Sequence, residues 1–186
     1  ALLYLGTGER QVVTVTLGGL IGSNQIYGWQ VVTGGAHTCA LLEGGKVRCW
    51  GHGGWGQLGY GNVQPVGDHE TPASAGDVPV GGTAIDVVAG NNHTCALLDT
   101  GEVRCWGFDD GRLGLGNIET IGDDELPSSV APVSLGNVPV VQLEASVAHV
   151  CVRHDDGTMR CWGRNEYGQL GYGHTQQIGE LGRAHD

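Results

Sequence analysis

A segment running from His37 to Gly51 recurs closely from His93 to Gly107 and again, more loosely, from His149 to Gly163. The first copy reads His37-Thr-Cys-Ala-Leu-Leu-Glu-Gly-Gly-Lys-Val-Arg-Cys-Trp-Gly51. Cys39, Cys95 and Cys151 stand 56 residues apart, as do Cys49, Cys105 and Cys161. A period of this length means that one supersecondary unit is built repeatedly, each copy burying its apolar face against the next. A second element follows each copy: Gln57-Leu-Gly-Tyr-Gly61, Arg112-Leu-Gly-Leu-Gly116 and Gln169-Leu-Gly-Tyr-Gly173. A third follows it: Val66-Gly-Asp-His-Glu-Thr-Pro72, Ile121-Gly-Asp-Asp-Glu-Leu-Pro127 and the partial Ile178-Gly-Glu180.

Within each unit the β-prone runs are short. Val87-Val88-Ala89, Thr94 to Leu98 and Glu102 to Trp106 read as strands, and Gly45, Gly101 and Gly157 sit at equivalent turns between two of them. A three-residue hairpin loop often ends on a left-handed residue, which glycine adopts without strain. Leu5-Gly-Thr-Gly8 and the Val12 to Leu17 run fit the same register, the latter as the strand approaching His37. The units therefore fall at 9–61, 62–116 and 117–173, with 174–186 opening a further linker. Short strands at this period fit a propeller blade or a β-solenoid coil. Solenoid coils run to about 20–30 residues, so the expected fold is an all-β propeller with about three blades in this chain. Propellers use about four to eight blades, so closure needs either more chain or identical subunits that complete a ring together.

Composition narrows the partners. The 35 glycines carry no Gly-X-Y period, which excludes collagen. Twenty acidic residues face nine basic ones, giving a formal charge of −11. Such a surface repels phosphate backbones and anionic lipid heads, so nucleic acid is excluded as an expected partner. No apolar run reaches the ~18 residues of a membrane helix, so no membrane insertion is expected. No signal peptide is visible. The chain starts at Ala1, so the expectation is a removed leader or a longer parent chain.

The six cysteines form three pairs of equal spacing. Cys39 and Cys49 lie symmetrically about Gly44, so they should oppose each other across a hairpin. Opposed Cα atoms lie ~4.5–5.5 Å apart, within the range a disulfide accepts. Disulfides Cys39–Cys49, Cys95–Cys105 and Cys151–Cys161 are expected, which fits an oxidising compartment. Buried reduced thiols are the alternative. Zinc on His37, Cys39 and Cys49 is a third reading, but zinc motifs usually carry Cys-x2–4-Cys spacing, and none occurs. No metal and no cofactor is expected.

These motifs resemble the RCC1-like repeat family (regulator of chromosome condensation type), and the resemblance covers nearly the whole chain. The His-Thr-Cys-Ala-Leu, Gly-x-Val-x-Cys-Trp-Gly and Gly-Gln-Leu-Gly-x-Gly elements match its bacterial, disulfide-containing members. The resemblance implies four-stranded blades around an axis, typically seven. The acidic linker is similar to a variant of secreted or surface proteins of bacteria, implying an extracellular, cell-surface or periplasmic location.

Catalytic readings are weakened by the repetition. His37, His93 and His149 recur at one strand start, so they read as packing and hydrogen-bonding residues rather than as a base. Trp50, Trp106 and Trp162 read as blade-to-blade packing. Arg48, Arg104 and Arg160 face away from the cysteines, and pairing with Asp68 or Asp123 is expected. The acidic linkers Asp68-His-Glu70 and Asp123-Asp-Glu125 read as solvated loops bonding their own amides. They lack the Asp-x-Asp-x-Asp-Gly pattern of an EF-hand calcium loop. No enzyme motif of the Gly-x-Ser-x-Gly or Walker type occurs.

The units disagree chiefly between Trp-Gly and Leu-Gly: His52 and Trp55, then Phe108, Asp109 and Asp110, then Arg164, Glu166 and Tyr167. Variable loops on a fixed frame are where binding residues concentrate, and Trp, Tyr and Arg are common anchors. The same aromatics could instead pack on the next blade. The expected function is a non-enzymatic extracellular binding or assembly module, with a protein or further copies of the same repeat as partner. The resemblance offers alternatives: a protein inhibitor of an extracellular enzyme such as a β-lactamase, and guanine-nucleotide exchange, which fits poorly with the acidic charge, the paired cysteines and the absence of a basic tail. A carbohydrate-binding propeller is a further alternative, because loops bearing Trp and Tyr can stack on sugars.

Overall fold

The computed structural model describes residues 13–16 and 25–180. The Leu5-Gly-Thr-Gly8 element and the chain after residue 180 lie outside them. Ten strands form three antiparallel sheets: β1 (Val13–Thr16), β2 (Gln25–Thr33), β3 (His37–Leu42) and β4 (Lys46–Gly51) in the first; β5 (Ala84–Ala89), β6 (His93–Leu98) and β7 (Val103–Gly107) in the second; and β8 (Val140–Ala145), β9 (His149–His154) and β10 (Met159–Gly163) in the third. Among the described residues a single 3-10 turn spans Pro127–Ser129. The protein is an all-β array of three blades, and the described residues do not close a ring.

The repeat is reproduced down to its irregularities. Each first strand slips register at one place, between Gly28 and Gln30, Ala84 and Asp86, and Val140 and Gln142. Each hairpin closes through the expected glycine, with Gly45, Gly101 and Gly157 donating to Leu42, Leu98 and His154 carbonyls. Gly101 has φ 83°, the left-handed region that the turn requires.

Three expectations change. The strand approaching His37 is β2, not the Val12–Leu17 run. β2 ends at Thr33 and a turn bonds Gly34 N–H to His37 O, as Gly90 bonds His93 and Ser146 bonds His149. Val13–Thr16 is instead an added strand, β1, on the far edge of β2. The fourth strand of each blade is reduced to single bridges made by the returning linker: Gly51 to Val66 and Val47 to Val78, Gly107 to Ile121, and Gly163 to Ile178. That return path also redirects the arginines. Arg48 bonds Gly76 O at 3.1 Å and pairs with Asp77, and Arg104 bonds the Pro127 and Val130 carbonyls. Asp68 and Asp123 are not their partners. The linker segment that lies beside β4 and β7 is further along the chain than those acids.

All three disulfides form, with S–S distances of 2.10, 2.12 and 2.06 Å. Their Cα atoms are 4.1 Å apart, closer than the hairpin argument expects. The reason lies in the ladder. Cys49 N–H donates to the Tyr60 hydroxyl, and that hydroxyl donates to Cys49 O, so both backbone groups turn away from β3. Cys39 and Cys49 are therefore a non-hydrogen-bonded pair, the closer of the two antiparallel spacings. Tyr172 braces Cys161 identically.

Alternation along the middle strands organises the packing between blades. Thr94 faces backward: its hydroxyl donates to Gln57 O at 2.9 Å and meets His37 Nε2 at 2.9 Å. His37, Cys39 and Leu41 accordingly face forward. Trp106 is fully buried at the same junction, its indole donating to Gln57 O, and Trp162 repeats the bond to Arg112 O, both at 3.0 Å. Gly59 makes room for the first indole, because a Cβ there would stand 2.7 Å from Trp106 Nε1.

One junction is incomplete. Val150 stands where Thr94 stands, and both nitrogens of His93, a fully buried residue, lack a partner. Burial pushes its pKa down to about 3, so it is neutral. Val150→Thr should place a hydroxyl between His93 and Arg112 O. The expected gain is about 1 kcal/mol in a denaturant titration. Thr94→Val should lose about as much by orphaning His37.

Candidate functional site

The variable loops lie at the blade junctions, directly after β4, β7 and β10. In the first, Gln57 accepts from Trp55 N–H at 2.8 Å and its amide donates to His52 Nδ1 at 3.0 Å. That clamp projects Trp55, which stays 46% exposed, onto the next blade. There it meets Phe108 edge-on, with ring centroids 5.1 Å apart. The Arg112 guanidinium lies 5.0 Å from the Phe108 centroid. Arg112 also forms a bidentate pair with Asp110 at 2.7 and 2.8 Å, and Arg164 of the third blade reaches the same carboxylate at 3.3 Å. Gln177 adds a bond to Asp110 O. Burial raises the Asp110 pKa, but the two guanidiniums outweigh it and hold the carboxyl below its ordinary value. Trp55, Phe108, Arg112, Asp110 and Arg164 thus form an unbroken line of contacts across three blades.

The remaining predicted residues are placed differently. Glu166 and Tyr167 are exposed on the third loop, where Gln169 holds Tyr167 N–H as Gln57 holds Trp55. Tyr167 is 90% exposed because no described blade stands where Phe108 stands relative to Trp55. Asp109 is buried, not a surface contact. Its Oδ1 accepts from Gly111 N–H at 2.7 Å and Leu113 N–H at 3.1 Å, leaving Oδ2 without a partner. Arg112, the centre of the line, belongs in the sequence to the Leu-Gly element. The signal that exposes it is its replacement of Gln57 and Gln169 in a loop one residue shorter than theirs.

The first acidic linker is a solvated turn, while Asp123 and Glu125 of the second are half-buried. Glu70 accepts from Gly67 N–H and Asp68 from His69 N–H, both at 3.0 Å. Carboxylate oxygens of Asp123, Asp124 and Glu125 lie within 4.8 Å of one another. Burial, and a hydrogen bond that the protonated Glu125 carboxyl donates to Asp124, push Glu125 up to about 7.

Two family models for the regulator of chromosome condensation (RCC1) repeat match the chain. One covers residues 30–57, 84–112 and 140–169, and the other covers 44–97. The chain belongs to the RCC1 repeat family. The ultraviolet-B receptor UVR8 of Arabidopsis thaliana is 34% identical over 148 residues, which is 78% of this chain and 32% of the receptor. The chain therefore spans about a third of that relative. Among solved structures, human WBSCR16 matches with TM-score 0.64 at 21% identity over 86% of this chain and 42% of that one. Prp20p of Saccharomyces cerevisiae, reported with its binding properties to Gsp1p and histones, matches with TM-score 0.57 at 20% identity over 84% and 38%. These two establish the propeller fold. No described helix is long and apolar enough to cross a membrane.

The RCC1 blades also supply a control for Asp109. Asn165 occupies its place in the third blade, accepting from Leu170 N–H and donating to His174 O and Gln176 O. A carboxylate cannot make those donations. Burial pushes Asp109 up to about 6, which its two amide bonds only partly offset. The folded state therefore holds the proton more tightly than the unfolded chain, and stability falls as pH rises from about 4 to about 6. Asp109→Asn should stabilise the protein by about 2 kcal/mol at pH 7.5 and much less at pH 4. Thermal melts at both pH values test this.

Proposed function

We propose that this chain is a non-catalytic binding and assembly module working in an oxidising, extracytoplasmic setting, with a protein as its partner. The observation that carries the reading is the line from Trp55 to Arg164. It is built from positions where the repeats differ, held rigid by Gln57 and Asp110, and composed of the residue types that dominate interface energetics. Three disulfides support the compartment, since such bonds persist where thiols are not kept reduced. The histidines suit scaffold roles better than acid–base ones, because burial holds His37 at about 4 and His93 at about 3.

The test is affinity capture from an extracellular fraction, comparing the wild type with Trp55→Ala and Arg164→Ala. A specific protein partner should lose at least about 30-fold in affinity to one of these variants, with melting temperature little changed. Equal capture by all three proteins would overturn the assignment of this surface. Hits confined to a glycan array would replace the protein partner with a sugar.

A further inference from the structure

The middle loop of the contact line stands on one carboxylate. Asp109 is 4% exposed, and its Oδ1 accepts from Gly111 N–H at 2.7 Å and Leu113 N–H at 3.1 Å. Asp110 and Arg112, which carry the line from Phe108 to Arg164, lie within the segment those two bonds hold. Oδ2 is buried with the rest of the side chain and has no hydrogen-bond partner among the described residues.

The other two blades show what Oδ2 faces. Asn165 holds Leu170 N–H through Oδ1, as Asp109 holds Leu113, and its Nδ2 donates to His174 O at 2.8 Å and Gln176 O at 2.9 Å. Gly53 has the same place in the first blade, and a Cβ there would stand 2.3 Å from Gln64 O. Gln64, Glu119 and Gln176 are in register, and each closes the same turn, its N–H donating to the side chain of Asn62, Asn117 or His174. By this register Asp109 Oδ2 faces the Asn117–Glu119 turn, carboxylate oxygen against carbonyl oxygen. An ionised carboxylate only accepts, so it has nothing to offer that turn, whereas a protonated one donates one hydrogen bond.

We propose that Asp109 is a proton-operated latch on the binding line, closed when its carboxyl donates to the Asn117–Glu119 turn and open when it is ionised. Closed, the side chain ties loop 109–113 to that turn as Asn165 ties its own loop. Open, Oδ2 lies against oxygens of like partial charge, and the segment carrying Asp110 and Arg112 loosens. The line then loses its middle, so a partner binds more tightly in mild acid than at neutral pH. This last step rests on the binding surface proposed above. The sign follows from which state holds the proton. Burial raises the Asp109 pKa to about 6 against the pull of its two amide bonds, and a loosened loop lets it fall toward its ordinary value. The ordering is therefore fully present below about pH 4 and is lost as the pH rises through about 6. Asp110 beside it pushes the same way and Arg112 opposes. Arg164 faces the loop through Asp110, Glu180 lies beside Gly111, Glu119 belongs to the turn itself, and His93 on β6 is neutral with a pKa of about 3. Asp109→Asn leaves all of these charges in place and supplies the donor at every pH.

The experiment measures amide hydrogen exchange of the intact chain at pH 4 and pH 7.5, corrected for the intrinsic pH dependence of exchange, in the wild type and in Asp109→Asn. Protection of the Gly111 and Leu113 amides should fall at least about 10-fold in the wild type, with a ceiling of about 100-fold for a shift of about two pKa units. It should stay level in Asp109→Asn, and β3 and β6 should stay protected in both proteins. The same pH response in both proteins, or none in either, would overturn the latch. So would a loss of protection spread evenly over loop 109–113, β3 and β6, since that reports global stability instead. With a partner in hand, the ratio of wild-type to Asp109→Asn affinity should fall several-fold between pH 5 and pH 7.5. A constant ratio alongside the expected exchange response would overturn the coupling to binding alone. The exchange readout needs no partner, so failure to capture one leaves the latch standing, and the two proposals fail separately.

Discussion

Trp106→Ala is expected to lower stability by about 4 kcal/mol. The indole is fully buried between the first two blades, and it does two jobs there. It fills the space that Gly59 leaves open, and its N–H donates to Gln57 O at 3.0 Å. Alanine loses the transfer energy of a large aromatic and leaves a cavity that cannot collapse, because the surrounding strands are pinned by their own ladders. Gln57 O keeps the Thr94 hydroxyl at 2.9 Å, so the loss is mainly packing. Trp106→Phe should separate the two terms, retaining most of the ring and costing about 1–2 kcal/mol for the missing donor and the smaller volume. Trp50 holds the equivalent place in the first blade but is only partly buried, so Trp50→Ala should cost distinctly less. Guanidinium titrations of the three variants give the ranking. A loss for Trp106→Ala no greater than for Trp50→Ala would show that the junction is not held by the indole.

How far the sequence reveals these features follows from their periodicity. The Cys39–Cys49 type of pairing, the hairpin glycines and the Trp106 junction repeat with one period, so each copy confirms the others. The features that escaped are those the period does not carry. Arg48 finds Asp77, and Arg104 finds backbone carbonyls, because linkers of irregular composition fold back along β4 and β7. Alternation tells which face an arginine takes but not which loop arrives there. The second variable loop is one residue shorter than its siblings, which puts Arg112 where a glutamine stands and leaves Asp109 buried in a place suited to asparagine. The β2 strand escaped because an extra β-prone run, Val13–Thr16, resembled the expected one. Tyr167 shows the limit of composition as a guide to binding. The aromatic at that position is semi-buried by a neighbour in the first blade and bare in the third, so its exposure reports the missing neighbour before it reports a partner.

Replacing Cys95 and Cys105 together with alanine should cost about 3 kcal/mol, the largest loss after that of Trp106. Each disulfide closes a loop with sequence separation 10, so the chain-entropy contribution is the same for all three, roughly 2.7 kcal/mol. What differs is the space left behind. Cys95 and Cys105 belong to the central blade, covered on both faces, and their removal leaves a void between β6 and β7. The central pair also lacks the tyrosine brace. Leu115 stands where Tyr60 and Tyr172 bond the second cysteine of their pairs, so no equivalent hydroxyl holds Cys105 in register. The Cys151→Ala/Cys161→Ala protein keeps the Tyr172 hydroxyl and opens space beside Cys151, which the described residues leave only partly buried, so it should lose only the entropic share or less. Denaturant titrations of the three double variants should therefore rank Cys95/Cys105 as most damaging and Cys151/Cys161 as least. Equal losses would mean that unfolded-state entropy alone sets the contribution of these bonds. The reverse ranking would mean that the third blade relies on its disulfide more than the two fully buried pairs do.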